Sequence, residues 1–303
     1  MRIGVDLGGT KIEAVALDVA GKERVCRRVP TPRNAYDATL RAIRDLVIAV
    51  ESEVGEPCSV GMGTPGAVSP ATGLMKNANS TWLNGRALGT DLEALLQRPI
   101  RMANDADCFA LSEAVDGSAA GERAVFGVIL GTGVGGGVVV DGRALIGVNA
   151  VAGEWGHNPM PWPAPEEWPG PPCYCARTGC IETLLSGPAL ARDYRELTGR
   201  DALPADIAQA ADRGDTEAQV MMSRYEDRLA RALASVINIL DPDVIVLGGG
   251  MSNTASLYHA VPTLWGAYVF SDRVDTQLVP PLHGDSSGVR GAAWLWPDDS
   301  GSD

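Results

Sequence analysis

The sequence predicts an α/β protein built from two related halves, and three observations carry that expectation. First, RIGVDLGGTKIEAVALD, starting at Arg2, and VFGVILGTGVGGGVVVD read as one unit repeated about 123 residues apart, with Gly4 matching Gly127, Gly8 matching Gly131 and Asp18 matching Asp141. Second, strand-like and helix-like hydrophobic periods alternate after each copy, as in layered α/β architectures. Third, 303 residues with 45% apolar and 21% charged content can bury a sizeable core and are long enough to divide into two domains.

Each repeat is a β-branched strand, a glycine turn, a second strand and a polar Gly turn, Ala20-Gly21 or Asp141-Gly142, which is a hairpin pattern. Residues 36–54 have a helical apolar period. SVGMGTPG at 59–66 reads as a buried strand running into a turn, and residues 100–115 as a strand, then Asn104-Asp105, then a helix. In the second copy Gly131 to Gly136 satisfies G-x-G-x-x-G. Val138-Val139-Val140 continue as a strand where the dinucleotide fingerprint needs a helix, so that reading fails. Nor does GGTK, ending at Lys11, supply a P-loop. The two glycine turns can instead present backbone N–H groups to phosphates, with Thr10, Lys11, Thr132 and Gly133 at the tips; the alternative is glycines that serve only tight turns. Residues 161–172, PWPAPEEWPGPP, form a non-repetitive loop. A long helix begins at Thr216, and DPDVIVLGGG is a buried strand ending at Gly248-Gly249-Gly250.

Two clusters bear on chemistry. Asp105 sits at a strand end and in the first turn of a helix, where the helix N-terminus keeps a carboxylate ionised and ready to accept a proton from a bound hydroxyl; the plainer role for Asp105 or Asn104 is capping. In PPCYCARTGCIE, Cys173, Cys175 and Cys180 fall within eight positions, with His157 sixteen residues upstream of Cys173. Together they form a Cys3His set suited to a closed tetrahedral zinc site, with three unliganded thiols as the alternative. Cys26, Cys58 and Cys108 are isolated and read as small buried hydrophobes. Glu154 and Glu182 flank the cluster and by themselves read as solvated acids.

Composition excludes several classes. A net charge of -13 and the lack of Lys/Arg patches argue against nucleic acid and anionic membrane surfaces. No stretch approaches a membrane span, and MRIGVDLGGT does not resemble a signal peptide. A reducing cytoplasm is therefore expected, where clustered thiols are poorly explained by disulfides.

DLGGTK at 6–11, GTPG at 63–66, NDADC at 104–108, LGTGVGGG at 130–137, GEWGH at 153–157, CYCARTGCIE at 173–182 and LGGGMSN at 247–253 resemble, in order and spacing and across essentially the whole chain, the ROK family of sugar kinases and repressors. KNANSTWLNG at 76–85, EWGHNPMPW at 154–162 and HGDSSGVRGAAWLWP at 283–297 are similar to bacterial fructokinases of the manno(fructo)kinase type. The resemblance implies an actin-like ATPase fold, with two ribonuclease-H-like domains around a central cleft. Residues 1–118 would form the first, completed by a C-terminal helix at 288–303, and residues 119–287 the second. It implies ATP-dependent phosphorylation of the C6 hydroxyl of fructose or mannose, with glucose or an N-acetylhexosamine as the alternative substrate, and a homodimer. On this reading Asp105 is the general base. Asn79, Asn104, Glu154, His157 and Glu182 hold sugar hydroxyls. Asp6, Gly9, Thr10, Lys11, Thr132 and Gly133 attend to Mg-ATP phosphates, and Gly249 to the adenosine. His157, Cys173, Cys175 and Cys180 match the family's zinc ligands. The family's repressors carry an N-terminal helix-turn-helix region, whereas this sequence opens on the first phosphate hairpin, so a kinase is expected. Two positions depart from the family pattern, Asp107 for Asn and Ala176 for Gly.

Overall fold

The computed structural model describes residues 1–296. Along the chain run β1 (Arg2–Leu7), β2 (Lys11–Leu17), β3 (Glu23–Pro30), α1 (Tyr36–Val54), β4 (Ser59–Thr64), β5 (Ala67–Val68), β6 (Met75–Lys76), α2 (Leu88–Leu96), β7 (Ile100–Asn104) and α3 (Asp105–Val115). Then come β8 (Ala124–Leu130), β9 (Val134–Val140), β10 (Arg143–Ala144), α4 (Glu182–Leu185), α5 (Gly187–Thr198), α6 (Pro204–Asp212), α7 (Thr216–Leu240), β11 (Val244–Gly248), α8 (Leu257–Leu264), β12 (Gln277–Val279) and α9 (Ser287–Trp294).

The predicted duplication is visible in the topology. One five-stranded sheet has the order β3-β2-β1-β4-β7 and the other β10-β9-β8-β11-β12, the same path traced twice. In the first, β1 pairs antiparallel with β2 and parallel with β4; in the second, β8 pairs parallel with β11. β9 is a strand throughout, so the glycines before it make a hairpin turn and no dinucleotide site.

Residue alternation along the strands decides what packs on each face of the first sheet. Ile3, Val5 and Leu7 of β1 and Val60 and Met62 of β4 join one core with Leu40, Ile43 and Val47 of α1 and Leu88 and Leu92 of α2. The alternate positions, Gly4, Gly61 and Gly63, carry no side chain. On that face α9 lies so close that a Cβ at Gly4 would overlap the carbonyl oxygen of Val289, and one at Gly61 that of Ala292. α9 itself meets α3 through Gly291, whose added Cβ would overlap the carbonyl oxygen of Cys108.

The chain divides into two compact units. One comprises residues 1–121, 137–152 and the segment from Asp285 on; the other comprises Glu122–Gly136 and Gly153–Gly284. Residues 137–152, which the sequence boundary counts with the second domain, cluster with the first unit. Gly137 is part of the reason, since a Cβ there would press on the backbone of Ala106 and Asp107. Of the terminal helix expected at 288–303, residues 297–303 lie outside the described residues. Among the described residues, no helix is long and apolar enough to cross a membrane. Cys58 and Cys108 are buried as expected. Cys26 differs: it is half-buried on β3, whose outer face is solvated, and its thiol donates to Glu13 Oε1 at 3.5 Å.

Gly61→Ala places a methyl group against the backbone of α9. We expect it to destabilise the protein by about 1–3 kcal/mol, as overpacking does, lowering the urea midpoint. An unchanged midpoint would show that α9 is not fixed at backbone contact.

Candidate active site

In the first unit, parallel register sets three strand ends level. Asp6 of β1 lies opposite Gly63 of β4, and Thr64 of β4 lies opposite Asn104 of β7. Asn104 caps α3, its side-chain oxygen accepting from the Asp107 N–H at 2.6 Å. Asn104 thus satisfies the helix end, and Asp105 stays exposed in the first turn. Asp6 lies on the glycine face, with Gly63 and Gly288 closest to its carboxylate. Burial, then the charges of Asp105 and Glu13, push its pKa up to about 6 against the pull of Lys11.

The first hairpin tip is tied down from behind. Thr31 donates from its hydroxyl to the Gly8 carbonyl at 2.7 Å and from its N–H to the Thr10 carbonyl at 3.0 Å, leaving Gly9 and Thr10 exposed. A Cβ at Gly9 would come within 3.6 Å of Ser80 Oγ, so the tip lies beside the segment that carries the exposed Asn79. Lys11 Nζ donates to Glu13 Oε2 at 3.2 Å, and Arg28 reaches Glu13 Oε1 at 2.8 Å. Burial pushes the Glu13 carboxyl up, but these two cations pull it below the usual range.

The second unit repeats the turn and places acids beside it. Gly131 N–H donates to the Gly133 carbonyl at 3.0 Å, and Thr132 is exposed at the tip. Glu182 Oε2 accepts from the Val134 N–H at 3.0 Å, and a Cβ at Gly133 would stand 2.6 Å from that oxygen. Read from sequence as a solvated acid or a sugar ligand, Glu182 is held against the glycine turn of the second unit. Glu154 precedes a 3-10 turn, Trp155–His157, that is locked to β9 by the Trp155 indole donating to the Gly135 carbonyl at 3.0 Å. Gly249, with φ 77°, comes within 2.5 Å of the Leu130 carbonyl oxygen if given a Cβ; only glycine allows the chain after β11 to pass this close to the end of β8.

His157, Cys173, Cys175 and Cys180 converge as the sequence predicts, their four donor atoms lying within 4.8 Å of one another. Cys175 and Cys180 sulfurs are 3.6 Å apart, and Cys173 Sγ is 3.5 Å from His157 Nδ1. Tetrahedral thiolate coordination at 2.3 Å requires separations of about 3.8 Å, so the donor set fits a four-coordinate dication. Burial pushes the Cys180 thiol up to about 12, a penalty on thiolates that a bound dication reverses. Ala176, which replaces the family's glycine, has φ 68°. The loop thus holds an alanine in the left-handed region at a cost of about 1–2 kcal/mol.

Some site residues gave no sequence signal. Tyr174, between two cysteines, meets His157 Nε2 through its hydroxyl at 2.9 Å and stacks edge-on at 5.0 Å. The ring therefore turns Nδ1 to the sulfurs and Nε2 to a hydroxyl. Glu167, in the Pro/Trp loop, is buried and paired with Arg228 at 2.7 Å and Arg231 at 2.8 Å on α7. Although burial pushes it up, these bonds hold its pKa at about 2. This non-repetitive loop is fastened by a buried ion-pair network.

The ROK family model matches residues 2–299. The chain belongs to the ROK family. An N-acetyl-D-glucosamine kinase of Pectobacterium atrosepticum is 40% identical over 300 residues, covering 97% of this chain and 98% of that protein. The ROK hexokinase of Thermus thermophilus superposes with a TM-score of 0.86 at 31% identity, covering 97% of each chain. A ROK glucokinase of Streptomyces griseus, solved with glucose and AMPPNP, superposes with a TM-score of 0.76 at 26% identity over 97% of this chain and 98% of that one. The expected actin-like ATPase fold is thereby established for this ROK protein.

The raised Asp6 pKa has a definite sign. Between about pH 4 and 6 the folded state keeps a proton that the unfolded chain has lost, so this contribution is fully present below the unfolded pKa and is lost as pH rises through 6. Without nucleotide or metal, Asp6→Asn is expected to gain about 1 kcal/mol on the parent protein between pH 5 and pH 7 in urea unfolding. Parallel pH profiles would contradict the assignment.

Proposed function

We propose that this protein transfers the γ-phosphoryl group of ATP to the C6 hydroxyl of N-acetyl-D-glucosamine. The observation that carries the reaction is Asp105, exposed at the first turn of α3 while Asn104 takes over capping, on a chain of the ROK family. The choice of sugar is supported by the 40% identical relative named N-acetyl-D-glucosamine kinase. It replaces the fructose expected from short motifs, since similarity over the whole chain weighs more than three local segments.

Asp105 accepts the C6 proton as the sugar oxygen bonds to phosphorus and the bridging bond to ADP breaks. Such a transfer needs positioning and neutralised charge more than covalent help. Magnesium, carried by ATP, supplies part of that neutralisation, and Asp6 is the carboxylate that would hold it. Burial, then the charges of Asp105 and Glu13, raise the Asp6 pKa, and a dication offsets both. Thr10, Lys11 and the Gly9 backbone attend to phosphate in the first unit, and Thr132 and Gly133 in the second; Gly249 attends to the adenosine. Asn79, Asn104, Glu154 and Glu182 hold sugar hydroxyls, and His157, whose Nδ1 faces the sulfurs, joins them by exchanging the Tyr174 hydroxyl at Nε2 for one of the sugar's. His157, Cys173, Cys175 and Cys180 would bind a structural zinc that fixes the loop bearing His157 and Glu182, with no open coordination position for chemistry. The cytoplasm and a homodimer complete the reading.

A coupled ADP-release assay across N-acetylglucosamine, N-acetylmannosamine, glucose, fructose and mannose tests it. N-acetylglucosamine should give the highest kcat/KM, and Asp105→Asn should lower kcat at least ~10²-fold with KM for the sugar nearly kept. Fructose or glucose in first place would overturn the substrate, and near-normal turnover by the variant would remove Asp105 as base.

Elemental analysis should find about one zinc per chain. Chelation should speed hydrogen exchange in residues 157–182 before the rest and weaken sugar binding more than nucleotide binding. A protein with no bound metal, or Cys175→Ser with unaltered sugar affinity, would leave the cluster as three thiols and an imidazole.

A further inference from the structure

Resting on the N-acetylglucosamine reading, we propose that a cavity beside Asn104, within the first unit, receives the acetamido group and is what separates this substrate from glucose. The cavity, about 70 Å³ in volume, has Ala67, Val68, Ile146 and Val151 among its walls and Thr64, Asn104 and Asp107 as its polar lining. Neither the capping of α3 nor the proton transfer by Asp105 requires these apolar walls.

An acetamido group differs from the hydroxyl it replaces in three ways that a protein can read: an apolar methyl, an N–H donor and a carbonyl acceptor. The cavity matches each. Ala67 and Val68 of β5, with Ile146 and Val151 from the loop after β10, offer apolar surface to the methyl. Asp107, buried in the first turn of α3, offers a carboxylate, which can only accept, to the N–H. The Asn104 oxygen is taken by the Asp107 N–H at 2.6 Å, so its amide hydrogens are what remain for the carbonyl. The departure of Asp107 from the family's Asn thus falls in this cavity.

The two apolar walls are held at a fixed spacing. Lys76 of β6, paired with Ala67, donates from Nζ to the Asn149 carbonyl at 3.0 Å and ties the β5–β6 ribbon to the loop. Within that loop the Ala150 N–H donates to the Gly147 carbonyl at 3.2 Å. Ala67 is one of the small walls, so a larger side chain there fills the space meant for the methyl; Ile146, 38% exposed at the rim, can be cut back without entering the core.

The test compares kcat/KM for N-acetylglucosamine, N-propionylglucosamine, glucosamine and glucose in the parent protein, Ala67→Leu and Ile146→Ala. In Ala67→Leu the ratio of N-acetylglucosamine to glucose should fall about 10–200-fold, the discrimination a pocket exerts over such small groups, mostly through KM. In Ile146→Ala the N-propionyl sugar should gain on the N-acetyl sugar. If Ala67→Leu does not fold, judged by its circular dichroism and urea transition, Ile146→Ala decides alone. A parent protein that prefers glucose overturns the substrate reading and the pocket with it. A parent protein that prefers N-acetylglucosamine, with both ratios unchanged in the variants, overturns only the pocket. Preference for glucosamine would mean that Asp107 selects an ammonium group, and would overturn it too.

Discussion

The first unit depends on three glycines that clear part of one sheet face. Gly4, Gly61 and Gly63 alternate with Ile3, Val5, Val60 and Met62, so one face of β1 and β4 packs on α1 and α2 while the other admits α9 at backbone distance. The Asp6 carboxylate, half-buried, projects from the same face as Gly4, with Gly288 at the start of α9 beside it. Gly63, level with Asp6 and bare of side chain, leaves the space between Asp6 and Cys108 narrow. A buried acid near the negative charges of Asp105 and Glu13 is costly to ionise. The same packing that stabilises the fold therefore maintains a negative field, which on the proposed mechanism Mg-ATP relieves. On that mechanism, stability and affinity for the cosubstrate would be linked through one carboxylate.

The duplication supplies the scaffold, and its two copies have diverged in what surrounds the turn. Behind the first turn stand Thr31 and the Glu13 cluster, which hold a lysine and an arginine. Beside the second stand Glu182 and the turn bearing His157, with the cysteine loop following. Glu182 touches the backbone of Val134, so a movement of the glycine turn is felt by a residue proposed to hold the sugar. On the proposed function, this contact would be a direct mechanical route between nucleotide and sugar recognition inside the second unit.

Much of this was legible in the sequence because it is local or periodic. The helix at 36–54, the strand ending at Asn104, the long helix from Thr216 and the Cys3His convergence all follow from spacing, caps and turn chemistry. What escaped depends on partners far apart in the chain. Glu167 looks like one more acid in a Pro/Trp loop until Arg228 and Arg231 arrive from α7, 61 and 64 residues away. Tyr174 carries no pattern that reveals its hydroxyl at His157. Gly4 reads as part of a repeat, and only the position of α9 shows why a Cβ cannot be placed there. The cavity bounded by Ala67, Ile146 and Val151 is invisible for the same reason: its walls come from segments nearly eighty residues apart.

The account stands on one bond, that between the γ-phosphorus of ATP and the C6 oxygen of N-acetylglucosamine. Phosphorus and proton NMR of the product formed from ATP and this sugar reads that bond without a coupling enzyme. The account predicts a phosphomonoester resonance scalar-coupled to the two C6 protons, accumulating in step with ADP. A phosphate coupled to the anomeric proton, or ADP released with inorganic phosphate alone, would contradict it.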